Sequence, residues 1–258
     1  GMAGLRRGRR THVVYAHDDV LPDSGVCGHD GQSAIPAIIT NRVDSPVVAG
    51  GGVRVAEIAF DTDYEYFVAR GSSVSGVVVD IERIMNAVEE AYDAQFGMQY
   101  EITEIIVRSD PLDPYTTDQP GALLQQFQLT WITPPESSIQ RDLAHLFTGR
   151  AIRNGVIGFA TIGSVCNTGQ AFGLSRTRFT SNLARRVDLT THEIGHNWNA
   201  PHCNTPTAPG LPFAGCCDAP TYTMCEFIGL SVRNQFSPPV IAFVSQFMDS
   251  RSCLDTPI

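Results

Sequence analysis

The sequence predicts an α/β domain in which strands alternate with long helices, and three observations lead there. Beyond residue 52 the hydrophobic period switches repeatedly between 2 and 3.6. With 258 residues, 43% of them hydrophobic, the chain can bury one good core, or a core and a small appendage. No internal repeat points to a solenoid or propeller.

Residues 1–50 are rich in Pro, Gly, Asp and Ser and carry no long periodic segment, so they are expected to be irregular. Gly50-Gly51-Gly52 marks a boundary. "VRVAEIAFDTDYEYF" then opens with Val53, Val55, Glu57 and Ala59 alternating against Arg54, Ala56, Ile58 and Phe60, which is a strand signal. In residues 77–97, Ile81, Ile84, Met85, Val88, Ala91 and Tyr92 form one helical stripe, and Gly97 stands at the C-cap. "MQYEITEIIVRS" predicts a strand, "PGALLQQFQLTWIT" a short helix, and "RDLAHLFTG" another strand. "NGVIGFATIGSVC" predicts one further strand over 154–166. Thr180, Ser181 and Asn182 are N-cap residues for a helix whose core face is Val187, Thr191, Ile194 and Trp198. Residues 203–235 are rich in Cys, Pro and Gly, and "SPPVIAFVSQFMDS" predicts a final helix with Pro in its first turn.

A formal charge of −9 argues against nucleic acid and anionic membranes as main partners. The basic run Leu5–Arg10 is expected to be a solvated tail. No 18-residue apolar stretch is present, so no membrane span is expected, and the first residues lack the apolar core of a signal peptide. Six of the seven cysteines fall in the last 93 residues while Cys27 stands apart, and none forms a CxxC pair. That distribution fits a disulfide-bearing protein, secreted, extracellular or periplasmic.

"THEIGHNWNAPHC" carries the chemistry. Positions i and i+4 of a helix lie on one face, so His192 and His196 aim two imidazoles at one point, with Glu193 beside them. This is the HExxH arrangement: two nitrogen ligands for zinc and a carboxylate next to an open coordination position. A catalytic zinc keeps three protein ligands, and His202 can supply the third only if the chain turns sharply after Trp198. Asn199 stands at that turn, and asparagine is the best of the non-glycine residues at positive φ. Zinc there would acidify a bound water and polarise a scissile carbonyl, and Glu193 would accept the water's proton.

The segment "HEIGHNWNAPH" is one substitution from the metzincin pattern HExxHxxGxxH. Over residues 53–255 the chain resembles the metzincin zinc endopeptidases, most closely the reprolysin (adamalysin/ADAM-like) branch. The resemblance implies a mixed twisted sheet with long helices, a zinc cleft and a small disulfide-bonded C-terminal subdomain. The catalytic domain would span 51–258, divided near residue 202. "IGFATIGSVC" resembles the family's edge strand, which implies that Gly158, Phe159, Ala160 and Thr161 pair with a peptide substrate as an added strand. "TYTMCEF" places Met224, otherwise an ordinary core methionine, at the Met-turn beneath the metal. No tyrosine follows it by two residues, so the fifth ligand of the astacin and serralysin branches is not expected. The specificity pocket is implied between the zinc helix and residues 225–236, where Ile228, Leu230 and Val232 suggest an apolar wall. Glu57 and Asp142, read alone as plain strand carboxylates, match the family's calcium ligands together with oxygens near Cys253.

The closing stretch "NQFSPPVIAFVSQFMDSRSC" also resembles the family, and Cys253 is expected to join Cys166. A vicinal Cys216–Cys217 bond is disfavoured by geometry. Cys203 is therefore expected to pair with one of the two and Cys225 with the other. For Cys27 three fates stay open: a free thiol, a bridge to the C-terminal cluster, or a ligand. "VCGHDG" resembles the propeptide stretch of ADAM zymogens, which lends a thiolate to the zinc. Residues 1–50 would then be a remnant of that segment. The expected protein is thus a secreted, monomeric zinc endopeptidase acting on proteins or peptides. The competing expectation is a metzincin-like protein-binding module without proteolytic activity.

Overall fold

The computed structural model describes residues 26–29 and 53–254, and these fold around a six-stranded mixed sheet. Its strands are β1 (Val26–His29), β2 (Arg54–Thr62), β3 (Met98–Val107), β4 (Leu143–Phe147), β5 (Val156–Ala160) and β6 (Phe172–Ser175). They lie in the order β1-β5-β6-β4-β2-β3. Every pairing is parallel except β5 with β6. The helices are α1 (Tyr64–Ala69), α2 (Val74–Phe96), α3 (Pro120–Trp131), α4 (Leu183–Asn197) and α5 (Pro238–Asp249). The α/β class and the mixed sheet are as expected.

The parallel connections need helices on the sheet faces, and the sequence supplies them. On one face Ala56, Ile58 and Phe60 of β2 meet the stripe of α2 (Ile81, Ile84, Met85, Val88, Tyr92), together with Val187 and Ile194 of α4 and Val240 and Val244 of α5. On the other, Ala59, Ala144, Leu146, Phe172 and Leu174 pack on Leu123, Leu124, Phe127 and Trp131 of α3. Each of these large side chains contributes about 1.5–3 kcal/mol on full burial. The caps follow the sequence: Ser73 Oγ accepts from Gly76 N at 3.2 Å to start α2, and Gly97, at φ 61°, ends it.

Four elements differ from expectation. Residues 26–29, in the stretch expected to be irregular, form a strand because β5 offers a partner edge. The strand expected over 154–166 stops at Ala160. Residues 161–166 turn instead, and the chain returns antiparallel as β6. The short helix α1 follows β2 directly, capped by Asp63, whose carboxylate accepts from Tyr66 N at 2.7 Å. The last helix, by contrast, is as expected: it starts at Pro238 with the Pro pair in its first turn. Beyond α4, residues 203–235 form loops in which Thr221 bridges Val232. The boundary at Gly50–Gly52, the basic run and the rest of residues 1–50 lie outside the described residues.

Three disulfides, Cys166–Cys253, Cys203–Cys216 and Cys217–Cys225, match the expected pairing. No helix among the described residues is long and apolar enough to cross a membrane.

Candidate active site

Helix α4 lies between α2 and the sheet, and nearly every one of its residues is buried. Asn182 caps it, its Oδ1 accepting from Arg185 N at 3.1 Å. Its far end is fixed by Asn197, whose Nδ2 donates to Thr161 O (2.9 Å) and Phe172 O (3.0 Å). The carbonyls of His196 and Asn197 are capped by the amides of Gly163 and Ser164. On the opposite flank Tyr92 Oη donates to Thr191 O at 3.1 Å, and Trp198 Nε1 to Tyr100 Oη at 2.7 Å. A helix held at both ends and on two sides presents its polar face in a fixed direction.

That face brings the three expected histidines together. Asn199 takes φ 68°, the left-handed turn that the spacing required, and its amide donates to His196 O at 2.8 Å. The chain then folds back to place the His202 ring 5.2 Å from that of His192 and 4.9 Å from that of His196. One ring nitrogen from each of the three lies within 4.8 Å of the others. His192 Nδ1 meets Thr223 O at 2.6 Å and His196 Nδ1 meets Ala200 O at 2.8 Å. Carbonyls can only accept, so both rings carry the proton on Nδ1 and a lone pair on Nε2. Those two Nε2 atoms face each other at 3.0 Å. Facing lone pairs suit a shared cation, and carbonyl-anchored imidazoles are the usual second layer of a zinc site.

Glu193 is buried beside the histidines, and burial pushes its carboxyl well above the carboxylate range, the neighbouring Cys27 thiol only partly opposing this. Cys27 comes to the same place. Its Sγ, a nitrogen of His192 and an oxygen of Glu193 all lie within 4.8 Å of one another. Burial, then the charge of Glu193, holds the Cys27 thiol well above its ordinary pKa. Cys27 is in no disulfide. Its strand β1 pairs with β5 in register, Cys27 opposite Gly158, Gly28 opposite Phe159 and His29 opposite Ala160. Cys27 N also donates to Glu226 O at 3.2 Å across the cleft. The sheet edge expected to be open for substrate is therefore occupied by the chain itself, and Thr161 falls just past the strand.

Met224 is fully buried under α4, with its Sδ 2.9 Å from where a Cβ on Gly195 would stand. Its turn is tied in by Cys203 N, which donates to Met224 O at 2.8 Å. Gly195 had drawn no notice in the sequence, although a glycine inside a helix costs about 1 kcal/mol and signals close packing. Thr223 was missed too, because its role as anchor of His192 is carried by its backbone. Ile228 is buried and Val232 packs beside it as expected, but Leu230 points to solvent at 54% exposure and does not line the wall. Glu57 and Asp142 lie side by side where β2 meets β4. Asp142 Oδ2 accepts from Glu57 N at 2.9 Å, and Glu57 Oε1 from Gln140 Nε2 at 2.6 Å.

Residues 53–231 match the family described as Metallo-peptidase family M12, in its reprolysin-like form. The chain is also similar to the human disintegrin and metalloproteinase domain-containing protein 33, with 22% identity over 198 residues. That match covers 74% of this chain and 24% of the relative, so the chain spans about a quarter of that protein. With the family matched over most of its length and the three histidines assembled on one point, this chain belongs to the M12 metallopeptidases.

Proposed function

We propose that the chain is a zinc-dependent endopeptidase, held latent by residues 26–29 within an N-terminal inhibitory segment covering about residues 1–50. The observation that carries it is the gathering of His192, His196 and His202 at one buried point, with Cys27 and Glu193 brought against His192. His192, His196 and His202 would hold the metal. When bound, zinc supplies Lewis acidity toward a substrate carbonyl and lowers the pKa of water at the site. Glu193 takes the proton of the attacking water and returns it to the departing amine. The backbone of Gly158, Phe159 and Ala160 aligns the substrate as an added strand once β1 has left. Met224 supports the floor beneath the histidines.

Cys27 is the fourth ligand in the latent form. A thiolate competes well for zinc, and its strand lies on the substrate's own edge. Three disulfides support an oxidising, extracellular compartment. The adjacent Glu57 and Asp142 support a calcium site, for which a Tm raised by about 1 mM calcium but not by magnesium is expected.

The test is hydrolysis of casein by wild type, Cys27→Ala and Cys27→Ala/Glu193→Ala. The single variant should be more active than wild type, and a chelator or the second substitution should abolish its activity. X-ray absorption of the zinc-loaded wild type should show one sulfur neighbour at about 2.3 Å, lost in Cys27→Ala. Zinc bound with no hydrolysis of any peptide would favour the binding module, and a spectrum without sulfur would end the latency reading.

A further inference from the structure

The side chain of Cys27 sits among Ile157, Phe179, Leu189 and Ile228, with Val232 at their margin. These residues come from β5, the turn that ends at Phe179, α4 and the loop after Met224, so they surround the space beside the histidines that the Cys27 side chain fills and that a substrate side chain would enter in its place. Apolar walls alone would predict an apolar guest.

The floor is different. Asp188 lies one helical turn before His192, on the same face of α4, and is fully buried. Its Oδ1 accepts from Thr223 Oγ1 at 2.8 Å, while its Oδ2 is buried with no hydrogen-bond partner. It precedes Leu189, one of the apolar walls, and its bond to Thr223 ties it to the start of the loop that carries Ile228 and Val232. The Arg185 guanidinium, three residues earlier, stacks over Phe179 and directs Nη2 toward Ile228 O at 3.5 Å. That cation only partly offsets burial, and Asp188 is pushed up to about 7. Holding Thr223 needs one acceptor, which an asparagine would supply. The second oxygen is a buried acceptor that nothing in the fold requires, and such a group favours any ligand that brings it a donor.

We infer that Asp188 gives this pocket an acidic floor that selects a substrate side chain carrying N–H donors: an amine, a guanidinium or a carboxamide. The inference rests on the peptidase reading above. A hydrogen bond to a buried oxygen that is otherwise left bare discriminates by about tenfold or more.

Two measurements test it, both on the zinc-loaded Cys27→Ala protein. A peptide library varied at the two residues flanking the scissile bond should show Lys, Arg, Gln or Asn preferred over Leu at one of them, by about tenfold or more. Asp188→Leu should reverse that preference, and Asp188→Asn, which keeps the bond from Thr223, should lose the preference for Lys and Arg. Binding of peptide hydroxamates bearing Lys or Leu beside the hydroxamate needs no turnover. The Lys compound should bind about tenfold tighter, and the difference should vanish in Asp188→Leu. An apolar preference at both positions, unchanged by either substitution, would show that Asp188 only pins Thr223. No cleavage of any peptide, with hydroxamates still discriminated through Asp188, would overturn the peptidase reading and leave the acidic floor standing. Equal hydroxamate affinities would overturn the floor.

Discussion

Gly158→Ala tests the catalytic centre at its tightest contact. A Cβ built on Gly158 would stand 2.1 Å from Oε1 of Glu193, 2.5 Å from Cδ and 2.7 Å from Cγ. Restoring an ordinary contact of 3.4 Å means moving the carboxylate by about 1.3 Å, and the closeness of Cγ rules out a mere rotation of the tip. A catalytic group displaced by about 1 Å costs on the order of 100-fold in rate. The stability cost is that of a small overpacking, about 1–3 kcal/mol, or roughly 2–4 °C of Tm for each kcal/mol in a domain of this size. The assay is hydrolysis of a quenched fluorescent peptide by Cys27→Ala with and without the second substitution, with bound zinc measured in both. The loss should fall in kcat with KM nearly unchanged, because Glu193 acts on the reacting atoms while β5 pairing acts on binding. A variant within about threefold of its parent in kcat, or one that loses only in KM, would refute the argument.

Three further outcomes are expected. His202→Ala should lose bound zinc and activity together, and full zinc occupancy in the variant would contradict its role as third ligand. Asn199→Gly should change stability by no more than about 1 kcal/mol in thermal unfolding, since glycine accepts φ 68° freely. Asn199→Val should cost more, because a β-branched residue resists that conformation. Asp188 has a pKa raised from 3.8 to about 7 in the folded chain, so the fold favours its protonated form. Its contribution is full below about pH 4 and is lost as pH rises toward 7. Relative to Asp188→Asn, wild type should lose on the order of 4 kcal/mol of stability across that window, and denaturant titrations with parallel pH profiles would refute it.

The helices α2 and α4 were legible because their buried stripes obey one period and their caps, Gly97 and Asn182, are local signals. The zinc-type histidines were legible for the same reason: spacing on a helix is geometry. What escaped depends on partners distant in sequence. Strand β6 is four residues buried on both faces, so it shows no alternation. Strand β1 is a strand only because β5 lies beside it. Asp188 looked like one more polar residue of a helix, and only the loop from Thr223 to Val232 turns it into the floor of a pocket. Gly158 was assigned to the substrate edge, whereas the contact that excludes a side chain there comes from Glu193 behind it.

The pairing of β1 with β5 has a consequence for handling the protein as well as for its chemistry. With residues 26–29 in place, the backbone of Val156–Ala160 has a strand on each side. Once they leave, β5 becomes the rim of the sheet, with a row of bare amides and carbonyls and the Phe159 ring beside them. Such a rim recruits any extended chain, including another copy of the same protein. Residues 26–29, proposed above to hold the enzyme latent, would therefore also act as a solubilising cover, and protein freed of them should be the more prone of the two to self-associate and to precipitate when no peptide is supplied.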